Sequence, residues 1–140
     1  MKAFVLCALF MLLPVLAIAQ PAGPDPIAEN VFAPDLVMQH QQAIGLTDAQ
    51  KDFLKSTVRQ AQTRLTDLQW QLQDEVEKLV ALLKPAGPDE AHVLAQLDRV
   101  LNLEREIKRE HLTLVVRVKG KLTSEQQTKL RELRGKISSK

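Results

Sequence analysis

The chain has 140 residues, with 19 basic and 17 acidic side chains, a formal net charge of +2 and 45% hydrophobic residues. This length corresponds to one small domain. The single cysteine, Cys7, sits near the start, so the remainder can form no disulfide and no cysteine-based metal or redox centre.

Residues 1–19 read as a secretory signal peptide. Lys2 supplies a minimal positive start, "AFVLCALFMLLPVLAIA" is apolar, and Ala17-Ile18-Ala19 has the small-x-small pattern of a cleavage site before Gln20. An uncleaved anchor is the weaker alternative, because the stretch is short for a span and Pro14 interrupts it. Export and the absence of later cysteines together fit the bacterial periplasm. Residues 20–34, "QPAGPDPIAENVFAP", hold four of the seven prolines and read as a flexible leader.

From residue 35 to 138 the pattern is helical. Asp35 is positioned to cap a short helix running to Ile44, with Gly45 as its stop. "LTDAQ" follows at 46–50, and "LTSEQ" recurs at 122–126. Thr followed three residues later by Gln is a capping box: the hydroxyl accepts from the backbone N–H of the Gln, whose side chain reaches back to the Thr N–H. Thr47 with Gln50, and Thr123 with Gln126, are therefore expected to open two helices. Leu46 and Leu122 lack an apolar staple partner four residues past the cap (Lys51 and Gln127), so they are expected to anchor in a tertiary core. A third copy, "LTDLQ" at 65–69, has no Gly or Pro before it and lies inside a helical pattern; it reads as coincidence.

The first long helix is expected to reach about Lys84, its apolar residues from Val58 to Leu72 alternating three and four apart as in a coiled-coil seam. "PAGP" at 85–88 must end it. Asp89 caps the next helix, expected to about Lys119, and Gly120 with the Thr123 cap turns the chain into a last helix ending near Ile137. Two long helices joined by four residues must lie antiparallel, each about 45 to 55 Å long. A hairpin so thin has little core per residue and is expected to dimerise or fold its ends inward. The fold class is thus all-α: a hooked antiparallel hairpin of two long and two short helices, expected as a dimer.

Charge is unevenly placed. Residues 20–98 carry 12 acids and 6 bases, whereas residues 99–140 carry 12 bases and 5 acids. An exported protein has little access to nucleic acid, so the basic arm is read as packing beside an acidic one, or as attracting acidic partners or anionic headgroups at a membrane periphery.

An export signal, a Pro-rich leader, a short helix and two LTxxQ motifs opening a long and a terminal helix resemble the LTxxQ-motif periplasmic family. This is the Spy/CpxP group, with its ZraP and CnrX-like heavy-metal-resistance and sensor relatives. The resemblance covers about residues 35–138. It implies a hooked hairpin paired into a cradle-shaped homodimer, acting as an ATP-independent chaperone for unfolded proteins, as a partner of an envelope stress sensor, or as a binder of zinc, nickel or cobalt. The family's nickel and cobalt sensors carry a His-x-x-x-His pair on the first helix and a His-x-x-x-Met pair before the second motif. Here His40 has Leu36 and Ile44 at those spacings, His111 is followed by Val115, and His92 is isolated near the tip. Transition metals need several converging ligands, so His40 and His111 are only weak metal candidates, and no cofactor is expected.

Two further positions stand out. An angular count places His111 near the centre of the apolar stripe of the second long helix, with Glu104 and Lys108 on the same face: a polar layer fixing register or a pH- or metal-responsive cluster. Trp70 falls about 170° from the centre of its own seam, outward, a candidate dimer or client contact. No catalytic constellation can be assembled. Residues 20–140 contain four serines, none in a nucleophile-elbow setting, and there is no Gly-rich phosphate loop. The protein is read as a binding protein, not an enzyme.

Overall fold

A computed structural model describes residues 25–138, with side chains to residue 136. The described chain is all-helical: α1 Pro26–Asn30, α2 Pro34–Gln39, α3 Asp48–Leu83, α4 Glu90–Lys121 and α5 Ser124–Ser138. The long helices α3 and α4 pack against each other as the two arms of a hairpin, with α2 and α5 at its open end. The expected signal peptide and the first part of the expected leader, residues 1–24, lie outside the described residues.

The local chemistry sets the boundaries. Thr47 closes a complete capping box at the start of α3: Gln50 N donates to Thr47 Oγ1 at 3.2 Å and Thr47 N donates to Gln50 Oε1 at 3.0 Å. The second box repeats it, Gln126 N donating to Thr123 Oγ1 at 3.2 Å and Thr123 N to Gln126 Oε1 at 2.9 Å. Asp89 Oδ1 accepts from His92 N at 3.0 Å and starts α4. This bond to the backbone is the main cause holding the Asp89 carboxyl below its ordinary pKa. The third motif copy lies in the unbroken middle of α3, with Thr66 exposed. Thr47→Ala or Thr123→Ala should therefore cost about 0.5–2 kcal/mol, and Thr66→Ala clearly less. Equal losses at all three sites in urea melts would contradict this division.

Four boundaries differ from the sequence reading. Asp35 does not cap α2, which starts at Pro34 with Ala33 at the N-cap and no side-chain cap bond. The short helix α2 ends at Gln39 and passes into turns, with Gly45 at φ +63° closing them. That left-handed backbone is readily open to glycine. Gly120 does not stop α4, which continues through it to Lys121. The leader is structured from Asp25 onward: Pro26–Asn30 is a helix capped by Asp25, and Phe32 is buried.

The core lies at the open end of the hairpin. Phe32, Val37, Ile44, Leu46, Leu54, Val118, Leu122 and Leu130 form one buried cluster drawn from the leader, both short helices and the roots of both arms. Leu46 and Leu122 anchor in it as expected. The leader is held by α5: the Arg134 guanidinium donates to the carbonyls of Ala28, Glu29 and Val31 and lies 5.1 Å from the Phe32 ring centroid, and Lys119 Nζ donates to Asn30 O at 2.7 Å. Towards the tip only the seam is buried, through Ala61, Leu68, Gln96 and Val100.

Candidate functional site

The two LTxxQ motifs meet. Gln50 and Gln126 are both buried, and their side-chain amides pair face to face: Gln50 Nε2 donates to Gln126 Oε1 at 2.9 Å, and Gln126 Nε2 donates to Gln50 Oε1 at 3.0 Å. Each amide also crosses to the carbonyl just before the other motif, Gln50 Nε2 donating to Lys121 O at 2.9 Å and Gln126 Nε2 to Gly45 O at 3.4 Å. Each glutamine thus caps its own helix and ties the root of the opposite arm. That answers why the motif is written twice in a working form. Sequence reasoning saw the two caps and missed their pairing, which joins residues 76 apart.

A second polar tie crosses the arms further out. Buried Gln96 donates from Nε2 to Glu75 O at 2.9 Å and to Glu75 Oε2 at 2.6 Å. The Glu75 carboxyl is held below its ordinary pKa chiefly by its bond to Lys78, then by Gln96. Arg64 Nη2 and Glu106 Oε2, 2.9 Å apart, form an exposed ion pair between the arms.

The polar layer expected within the hairpin is not formed there. Glu104, Lys108 and His111 are all exposed, and none makes a hydrogen bond or ion pair among the described residues. The polar members of the seam are instead Gln96 and the half-buried Glu110. The rotation of α4 differs from that expected. Leu94 and Leu101, on the His111 side of α4, are 50% and 49% exposed and lie outside the seam, while Gln96 and Glu110, being polar, escape an apolar count; together they set the true centre away from His111.

Those two leucines belong to an uncovered apolar surface. Val76, Val80 and Leu83 follow i, i+4, i+7 spacing on α3, one ridge, and are 39%, 49% and 52% exposed. Because the arms are antiparallel, residue order turns in opposite senses on them. Counting about 100° per residue from each seam puts this ridge and Leu94 with Leu101 on the same side of the hairpin, in its tip-ward half. Trp70, 63% exposed, points away from the seam, as its angle indicates.

The histidines do not build a metal centre. Among the described residues no three His, Cys, Asp or Glu side chains come together as a metal-holding group. His40 Nε2 is buried without a hydrogen-bond partner, which is the kind of atom a ligand could satisfy, but one nitrogen is a single ligand. His92 Nδ1 lies 3.3 Å from Asp89 Oδ1 at the exposed tip. The residues present do not fit a multidentate transition-metal site within one chain.

Fold and site together define a hooked helical hairpin whose roots are locked by paired LTxxQ glutamines. Residues 4–135 match a family described as heavy-metal resistance, which is the LTxxQ, Spy/CpxP-like group, and the chain belongs to it. No curated protein and no solved structure matches the chain. Among the described residues no helix is long and apolar enough to cross a membrane.

Proposed function

We propose that this chain is a periplasmic accessory protein of the Spy/CpxP kind that holds unfolded proteins, or an envelope stress-sensor partner, without ATP and as a homodimer. The observation that carries this reading is the apolar ridge of Val76, Val80, Leu83, Leu94 and Leu101 beside a seam that does not cover it. Adjacent exposed aliphatic residues on a thin hairpin can take up apolar client segments or a second copy, because covering them removes apolar area from water. The basic excess of residues 99–140 adds attraction for acidic partners that salt would screen over about 10 Å at 0.1 M.

The test is suppression of aggregation of an unfolded model protein by the purified chain, without ATP or added metal. Leu94→Ser with Leu101→Ser should weaken capture while leaving helicity intact, since both side chains are half exposed. Trp70→Ala should weaken capture or lower dimer stability, according to which contact it makes. Full activity in the double serine variant would remove the ridge from the reading.

A heavy-metal-binding role is the second reading, favoured by the family's description and by the unpartnered His40 Nε2. It requires zinc, nickel or cobalt binding that is lost in His40→Ala or His111→Ala. Such binding by calorimetry, with no suppression of aggregation, would replace the first reading.

A further inference from the structure

The other side of the hairpin carries a groove of about 530 Å³ lined by Arg64, Arg105, Arg109 and Arg117 with Glu106, Glu110 and Thr113. Arg105, Arg109, Thr113 and Arg117 are spaced four apart, so they form one slanting row along α4, its rungs about 6 Å apart. Arg64 faces them from α3. Arg105 and Arg109, four apart, are a like-charge pair that is unfavourable on a bare helix, so their neutralisation by a ligand is a gain.

Charge pairing within the groove leaves a defined excess. Glu106 is committed to Arg64 at 2.9 Å. Arg105 is steadied by a neutral partner, its Nη2 donating to Asn102 Oδ1 at 2.8 Å. Arg109 and Arg117 have no hydrogen bond or ion pair among the described residues. Three guanidiniums thus stand against one remaining carboxylate, Glu110, an excess of two positive charges. A phosphomonoester carries about −1.5 to −2 at neutral pH, and the guanidinium fork matches its oxygens two at a time. The half-buried Thr113 sits between Arg109 and Arg117, placing a neutral hydroxyl donor in the same row.

We propose that this groove is a binding site for a phosphate-class dianion, seated between Arg109 and Arg117 on α4, with Arg105 completing the charge balance. Inorganic phosphate in solution and the phosphomonoester headgroup of an anionic lipid present the same chemistry. The site is separate from the apolar ridge and does not depend on the client-holding reading.

The experiment titrates the purified chain with inorganic phosphate and pyrophosphate by calorimetry, and separately measures its co-flotation with phosphatidylcholine vesicles with and without phosphatidic acid. Saturable binding to at least one source is expected, and the arm that responds identifies the source. Arg109→Ala with Arg117→Ala should weaken it at least about tenfold, the loss of two charge-assisted contacts. Lys55→Ala with Arg59→Ala removes equal charge from exposed positions on α3 outside the groove and should change it less than about twofold. Helicity by circular dichroism confirms that both variants fold. Arg109→Lys with Arg117→Lys keeps the charge but not the fork and should fall between. No saturable binding to either source, equal loss in the control variant, or full affinity with the lysines would overturn the assignment. So would Arg109- and Arg117-dependent binding of an acidic peptide in place of either phosphate source.

Discussion

Phe32→Ala is expected to lower the unfolding free energy by about 3–5 kcal/mol, the range for emptying a buried phenylalanine site. Phe32 is 2% exposed and belongs to the one cluster that joins the leader, the short helices and both arm roots. Its loss acts twice. It leaves a cavity beside Val37, Leu54 and Leu130, and it removes the ring on which the Arg134 guanidinium rests at 5.1 Å. Arg134 is also the donor that holds the carbonyls of Ala28, Glu29 and Val31, so residues 25–31 should become sensitive to protease in the variant before the arms do. Urea melts and timed proteolysis check both parts. Phe32→Leu, which keeps most of the volume, should cost less than about 1.5 kcal/mol. A loss below about 1 kcal/mol in the alanine variant would mean that the leader is not part of the core.

Gln126→Ala should cost about 2–3 kcal/mol, and Gln50→Ala a similar amount, because buried partners are left unsatisfied. Without the Gln126 amide, the Thr123 N–H, the Gly45 carbonyl and both polar atoms of the Gln50 amide each lose a bond. A simple cap would predict otherwise for Gln126→Glu, since glutamate serves equally at the third position of a capping box. The paired amide predicts a loss there too. Glutamate can accept from Thr123 N but cannot donate to Gln50 Oε1 or Gly45 O, and it would bring a charge into a site that is 8% exposed. The coupling between Gln50→Ala and Gln126→Ala in a double-mutant cycle should lie within about 0.5–3 kcal/mol. Additive losses and a tolerated Gln126→Glu would show two independent caps.

What the sequence disclosed was local. Thr47, Asp89 and Thr123 mark helix starts because each supplies a side-chain acceptor to the amides at the helix start, and "PAGP" ends an arm because two prolines cannot continue it. Those signals are confined to a few neighbouring residues and place the long elements to within a residue or two. The site depends on contacts between distant residues, where pattern alone is weak. The angular average for α4 could not distinguish Leu94 and Leu101, which face solvent, from Val100, which faces α3, since all are aliphatic. Nor could it register Gln96 and Glu110, whose polar side chains leave no apolar mark on the seam they occupy, so the stripe was centred near His111. Phe32 looked like part of a proline-rich leader because its partner, Arg134, lies 102 positions later in the sequence. Arg105, Arg109 and Arg117 were visible as part of a basic arm, but Arg64 enters the groove only through the fold.

Placing the whole buried cluster at the hairpin's open end makes the molecule unequal along its length. Cooperative opening follows the apolar contacts that resist it, so amide hydrogens near Pro85–Asp89 should exchange with solvent long before those near Leu54 and Val118. The arms stay joined at the tip by residues 84–89, so local opening there frays the helix ends and does not separate the arms. The ridge of Val76, Val80, Leu83, Leu94 and Leu101 lies on this less protected half, so it is carried by helix ends that can loosen while the root stays closed.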